Sequence, residues 1–159
     1  VAIGGFDTHG NEFWNNNPTL NGRISKAINA FWTAMGNVRI RDAAGTGYLP
    51  GSAQDRVTLL TMTDFGRTLD SNGAGSDHGW GSHHFVMGGA VKGGAFYGSA
   101  PSALLKGPED VGQGRLLPTT SVDQYAATMA RWFGVADSEM TQIAPNIGYF
   151  DSANLGFMA

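Results

Sequence analysis

The chain has 159 residues, 42% of them hydrophobic, and a formal charge of −3. That length carries one domain with a real hydrophobic core, and the composition is far from that of a disordered segment. The charge, with no Lys/Arg cluster able to neutralise several phosphates, argues against nucleic acid, and the lack of cysteine excludes disulfides, thiolate metal sites and cysteine nucleophiles.

No run approaches the roughly 18 consecutive apolar residues that a membrane span needs, and no basic region followed by an apolar stretch marks a signal peptide. The chain starts at Val1 without a Met, and its first segment already reads as a core strand, so a missing upstream segment is expected. The 24 glycines gather at Gly4-Gly5, from Gly73 to Gly81 and from Gly88 to Gly94, where tight turns and close backbone approach are needed.

In chain order, Val1 to Phe6 is a short apolar run that predicts a buried strand, followed by a polar loop from Asp7 to Pro18. Leu20, Ile24, Ala27, Ile28, Phe31, Trp32 and Met35 fall at helical spacing, with Gly36-Asn37 as the stop. Residues 38 to 56 show no period and predict an irregular excursion. Val57 to Thr63, β-branched and apolar on both faces, has the pattern of a central parallel strand covered by helices, so strand, helix and strand predict one βαβ unit. Phe85 to Met87 predicts another short strand. Ser121 and Gln124 form a capping box for a helix with Val122, Tyr125, Ala126, Met129, Trp132 and Phe133 toward the core, ending at Gly134. One short helical stretch, near Ser138 to Ile143, precedes an irregular tail.

Chemistry-bearing residues fall in three places. Asp7 and His9 follow the first expected strand, where an open α/β sheet binds ligands; a carboxylate and an imidazole two residues apart can share a divalent ion, or be a capping Asp and a surface His. Asp77, His78, His83 and His84 put three of the four histidines within seven residues. A glycine-flanked set of this kind is poorly explained by core packing, and the metal reading wins over a solvated loop. Asp64 follows the central strand at a position suited to a ligand or general base. Arg67 offers a planar fork for a phosphate or sulfate oxyanion; the pair equally reads as one that shapes the turn. Asn72 and Lys92 are weaker polar candidates. Gly-x-Ser-x-Gly and a phosphate-loop pattern are both absent.

The motifs at 4–10, 63–68, 77–91 and 117–128 resemble those of a bacterial family catalogued as a domain of unknown function, family 1501, placed within the alkaline phosphatase and sulfatase superfamily. The resemblance implies an α/β three-layer sandwich with a mostly parallel sheet, alkaline phosphatase-like, of which 1–159 is the C-terminal part of a single domain with its N-terminal part missing. It implies two divalent ions, zinc or manganese, and a metal-dependent hydrolase acting on phosphate or sulfate esters, with the nucleophile upstream of Val1. Asp7 and His9 then resemble the ligands of one metal. Two alignments serve for the rest. In one, Asp77-His78 is the Asp-His pair, completed by His83 or His84; in the other, Asp64 takes that place, Phe65 replaces the histidine and His78 is the late ligand. The alternative function is a non-enzymatic exported binding or assembly protein that reuses the fold with a degraded metal site. Relatives with twin-arginine export signals imply a periplasmic or extracytoplasmic location.

Overall fold

The computed structural model describes residues 1–11 and 16–159. Residues 12–15, inside the polar loop expected over 7–18, lie outside the described residues.

A π-helical turn, Asn16–Asn21, leads into helix α1, Gly22–Gly36. Ile24, Ile28, Phe31, Trp32 and Met35 form its half-buried stripe, so the expected period holds, although no residue of the helix is fully covered. The helix ends at Asn37, whose N–H donates to the Ala34 carbonyl at 3.0 Å. The excursion that follows is irregular, as expected. It is stapled to α1 by Gln54, which donates to the Trp32 carbonyl at 2.6 Å from a turn capped by Ser52 and Asp55.

Four short strands follow: β1 (Thr58–Leu60), β2 (Gly66–Ser71), β3 (Ser76–Gly79) and β4 (Val86–Gly88). β1 pairs with β4 and β2 with β3, both antiparallel, in two separate two-stranded sheets. These pairings overturn the expectation of a three-layer, alkaline phosphatase-like sandwich with a mostly parallel sheet. Val1 to Phe6 joins no ladder, so the βαβ unit does not form. The apolar pattern of 57–63 shows why: only three of its residues enter a strand, and Leu60 and Met62 are exposed rather than covered by helices. Its partner is β4, beyond the β2–β3 hairpin in sequence. Phe85 and Thr61 exchange two hydrogen bonds, and Gly88 lies so close to Val57 and Thr58 that a Cβ there would sit 2.8 Å from the Val57 carbonyl oxygen. Only a glycine admits this approach of β4 to β1.

The hydrophobic core is C-terminal. Helix α2 (Val122–Phe133) starts at the expected Ser121–Gln124 capping box and stops at Gly134, left-handed at φ 103°. A 3-10 turn, Asp137–Glu139, continues into the short helix α3, Met140–Ile143. Ala127 and Ala130 of α2 pack against Met140, Ala144 and Ile147, with Val135 and Ala153 at the margin. Burying one large apolar side chain of this kind contributes roughly 1.5–3 kcal/mol. The face of α2 is the expected one only in part: Tyr125 is buried and Ala126, Met129 and Trp132 are half-buried, as expected. Val122 and Phe133 are 60% and 83% exposed, whereas Ala127 and Thr128 are buried. The small side chains let α3 approach, and the Thr128 hydroxyl is satisfied twice, donating to the Gln124 carbonyl and accepting from Leu155 N–H.

A smaller aromatic group lies beside this core: His84 stacks on Tyr125 at 5.4 Å, and Phe157 contacts both Tyr125 and Tyr97. Burial pushes the Tyr125 hydroxyl up to about 12. Among the described residues no helix is long and apolar enough to cross a membrane.

Candidate metal centre

The site is built where the first loop lies on the β2–β3 hairpin. The hairpin opens with Gly66 opposite Gly79 and Arg67 opposite His78, and its register shifts before Ser71 meets Ser76. In the irregular stretch the Thr68 hydroxyl replaces a ladder bond, accepting from Asp77 N–H at 3.1 Å and donating to the Asp70 carbonyl at 2.8 Å. The Asn72-Gly73 turn closes the hairpin, with the Asn72 side-chain oxygen accepting from the N–H groups of Ala74 and Gly75. Gly75 is required by what lies against it, since a Cβ there would stand 2.8 Å from the His9 carbonyl oxygen.

Hydrogen bonds with the turn and the hairpin hold the first loop down. Asn11 N–H donates to the Ala74 carbonyl at 2.9 Å, and Asn72 Nδ2 donates to the His9 carbonyl at 3.0 Å. Arg67 reaches further: Nη1 donates to the Ser76 carbonyl, and Nη2 to the Phe6 carbonyl and to the Thr8 hydroxyl. With its guanidinium also 5.1 Å over the Phe65 ring, Arg67 ties the first loop, the hairpin and the turn before it together. Its fork is therefore engaged with backbone, and Asp7 Oδ1 lies 3.9 Å from it.

This arrangement brings Asp7, His9 and His78 together. His78 Nε2 lies 2.7 Å from Asp7 Oδ1, and His9 Nε2 lies 3.0 Å from the same oxygen. The three ligand atoms fall within 4.8 Å of one another, close enough to bind one metal ion. On a tetrahedral ion with bonds of about 2.1 Å, ligand atoms stand about 3.4 Å apart, so each imidazole nitrogen would draw back from the Asp7 oxygen by less than an ångström to admit one. The donor set, one carboxylate oxygen and two imidazole nitrogens, suits a borderline divalent cation. The rings are pre-set by stacking: Phe65 lies parallel to His78 at 3.9 Å, and His78 faces His9 at 4.9 Å. The three side chains are 45–64% exposed, which leaves one side of the group open to solvent.

Asp77 lies behind His9, its Oδ1 3.0 Å from His9 Nδ1 and accepting from Asn72 Nδ2 at 3.0 Å. A hydrogen bond from His78 holds the Asp7 carboxyl below its ordinary value, helped by the charges of His9, His78 and Arg67 and opposed by burial. Asp77 is lowered first by the Asn72 hydrogen bond and then by that of His9.

Of the residues expected at a metal site, the structure thus gathers Asp7, His9 and His78, with Asp77 touching His9. His78 is the ligand shared by both alignments. Asp64 is exposed in the turn before β2, and His83 is exposed after β3. His84 belongs to the Tyr125 stack. Among the described residues these three do not enter the three-ligand group. Thr8, Phe65 and Asn72 are the contributors that sequence reasoning undervalued. The Asn-Gly turn signal at 72–73, four residues after the 63–68 motif ends in the hairpin strand, is the clue to Asn72 in the sequence.

Residues 1–145 match the model of a family described as "Protein of unknown function (DUF1501)". No curated protein and no solved structure matches the chain. With the family model covering most of its length, and the Asp7 and His78 motifs both inside the match, the chain belongs to the DUF1501 family.

Proposed function

We propose that the protein is a metal-dependent hydrolase whose divalent ion, zinc or manganese, is held by Asp7, His9 and His78. The observation that carries this reading is the convergence of two imidazole Nε2 atoms on one carboxylate oxygen from segments about seventy residues apart, with one side left open. Three protein ligands and an open position are the arrangement of a catalytic rather than a closed structural site. Bound there, the ion supplies Lewis acidity toward an ester oxygen. Asp7 contributes the anionic ligand, His78 is oriented by the Phe65 ring, and Arg67 fixes the backbone that carries Asp7. Phosphate or sulfate esters are the substrate class we propose, on the strength of the motif resemblance to family 1501 and of that family's placing within the alkaline phosphatase and sulfatase superfamily.

A second reading, a non-enzymatic exported binding protein, is favoured by Arg67, whose donors meet backbone carbonyls rather than a free site for an oxyanion. Protein purified from its native host separates the two. The hydrolase is expected to carry zinc or manganese by elemental analysis and to turn over aryl phosphates or sulfates, with His78→Ala losing both. Ion without turnover favours the binder, and absence of any divalent ion removes both metal readings. A periplasmic location belongs to the same proposal, and cell fractionation that leaves the protein in the cytosol would overturn it.

A further inference from the structure

We propose that Arg39, Arg41 and Tyr48 form a binding site for one tetrahedral oxyanion, a phosphate or sulfate group; the inference stands apart from the metal reading and does not depend on it. The three residues lie in the irregular excursion between α1 and β1. Its two limbs meet antiparallel where Arg41 bridges Tyr48. Leu49 N–H donates to the Ile40 carbonyl at 2.8 Å on one side of that pair, and Asp42 N–H to the Gly47 carbonyl at 3.1 Å on the other. The pair is thus of the kind without hydrogen bonds of its own, in which opposite side chains stand closest. Directly opposed side chains share a face, and so do residues two apart along one limb. Arg39, Arg41 and Tyr48 therefore project to the same side. Exposure follows that alternation: these three are exposed, and Ile40, Asp42, Gly47 and Leu49 are half-buried.

The guanidinium carbons of Arg39 and Arg41 stand 5.1 and 5.2 Å from the centroid of the Tyr48 ring, so one ring gathers two like charges. Among the described residues no carboxylate pairs with either arginine. The acids of the same excursion are engaged in its turns: Asp42 accepts from the N–H and hydroxyl of Thr46, and Asp55 from Ser52 N–H. Arg41 donates from Nη1 to the Gly45 carbonyl at 2.9 Å, which anchors its fork and leaves its other donors open. Arg39 makes no hydrogen bond among the described residues. Two cations held on one ring without a counter-charge repel each other, and an anion bound to both removes that repulsion. The planar forks match the paired oxygens of phosphate or sulfate, which a spherical anion does not offer. Arg67, expected from the sequence to grip such an oxyanion, engages backbone carbonyls instead.

The test titrates inorganic phosphate, inorganic sulfate and methyl phosphate separately into metal-free protein, so that no ion at Asp7 takes up the anion. Ionic strength is held constant with chloride. The Arg39 and Arg41 Nε–H signals and the Tyr48 ring signals are read by NMR. Phosphate and sulfate are expected to move all three together to saturation, and chloride to leave them in place. Arg39→Lys keeps the charge and breaks no hydrogen bond of the excursion, but lacks the fork. It is expected to weaken binding about tenfold, the worth of one charge-assisted hydrogen bond. Tyr48→Leu, which removes the ring that gathers the forks, is expected to weaken it as well. Tighter binding of methyl phosphate than of phosphate identifies an esterified group as the ligand; equal or weaker binding identifies the free ion. His78→Ala is expected to change none of these shifts, which keeps the outcome separate from that of the metal reading. Shifts that never saturate, that chloride reproduces, or that keep full strength in either folded variant overturn the proposal.

Discussion

The C-terminal core and the Asp7 site are held by different physics. Around Met140 the contacts are apolar, small side chains face each other, and every partner lies within about one helical hairpin of sequence. Around Asp7 the apolar contribution is small, and the joint is made of side-chain hydrogen bonds to backbone carbonyls some sixty residues away. Area burial is tolerant of direction, whereas hydrogen bonds fix geometry to a few tenths of an ångström. The region that must hold a helix against a helix uses the first; the region that must aim three ligand atoms at one point uses the second.

The contrast is open to direct attack. Met140, 3% exposed, is more buried than Ile147, the other large side chain of the C-terminal cluster, and Met140→Ala should cost about 2–5 kcal/mol in chemical denaturation. The ring signals of His9 and His78 should stay at their wild-type positions until the chain unfolds. Their early loss would mean that the two regions are one cooperative unit rather than two differently held ones.

Arg67→Lys attacks the other side. A lysine keeps the charge but lacks the fork that serves Ser76, Phe6 and Thr8 together, and hydrogen bonds from charged groups are worth about 1.5–3 kcal/mol. Amide exchange should quicken at Thr8 and through the first loop, divalent ion affinity should fall, and exchange at Ala144 should not change. Equal acceleration in both places would refute a local role for Arg67.

The mildest probe is acid. Asp110 accepts from the N–H groups of Lys106, Gly112 and Gly114 and so closes a loop whose Gly114 carbonyl accepts from Leu69 N–H in β2. The Lys106 bond above all holds its carboxyl below the ordinary 3.8, with the Gly112, Gly114 and Arg115 amides adding to it against burial. A folded value below the unfolded one stabilises the fold above pH 3.8, and that contribution fades as the pH falls through the lower folded value. Exchange at Lys106, Gly112 and Gly114 should therefore rise only below about pH 4, ahead of any change at Ala144. Opening of the loop in the neutral range would show that the carboxylate is not what closes it.

How much of this was legible in the chain varies by element. Helix α1 was readable from the spacing of Ile24, Ile28, Phe31 and Met35, and α2 from Ser121, Gln124 and Gly134, because helix periods and caps are local signals. The sheet was not. Val57 to Thr63 has the composition of a buried parallel strand, yet strand pairing depends on the tertiary context, and here Phe85 to Gly88 lies antiparallel to it with a glycine at the close approach. The histidines show the same division. His78 and His84 look alike in sequence, but one faces Asp7 and the other stacks on Tyr125.

The sequence alone determined which residues could ligate, where the helices begin and end, and which chemistries are unavailable to a chain without cysteine. Tertiary structure alone decided that Asp7, His9 and His78 meet, that Asp77 stands behind a ring, and that Arg67 braces a backbone. Residue type and spacing encode propensity over a few turns of chain. Convergence across about seventy residues depends on how the first loop lies on the hairpin, and only the packed chain carries that information.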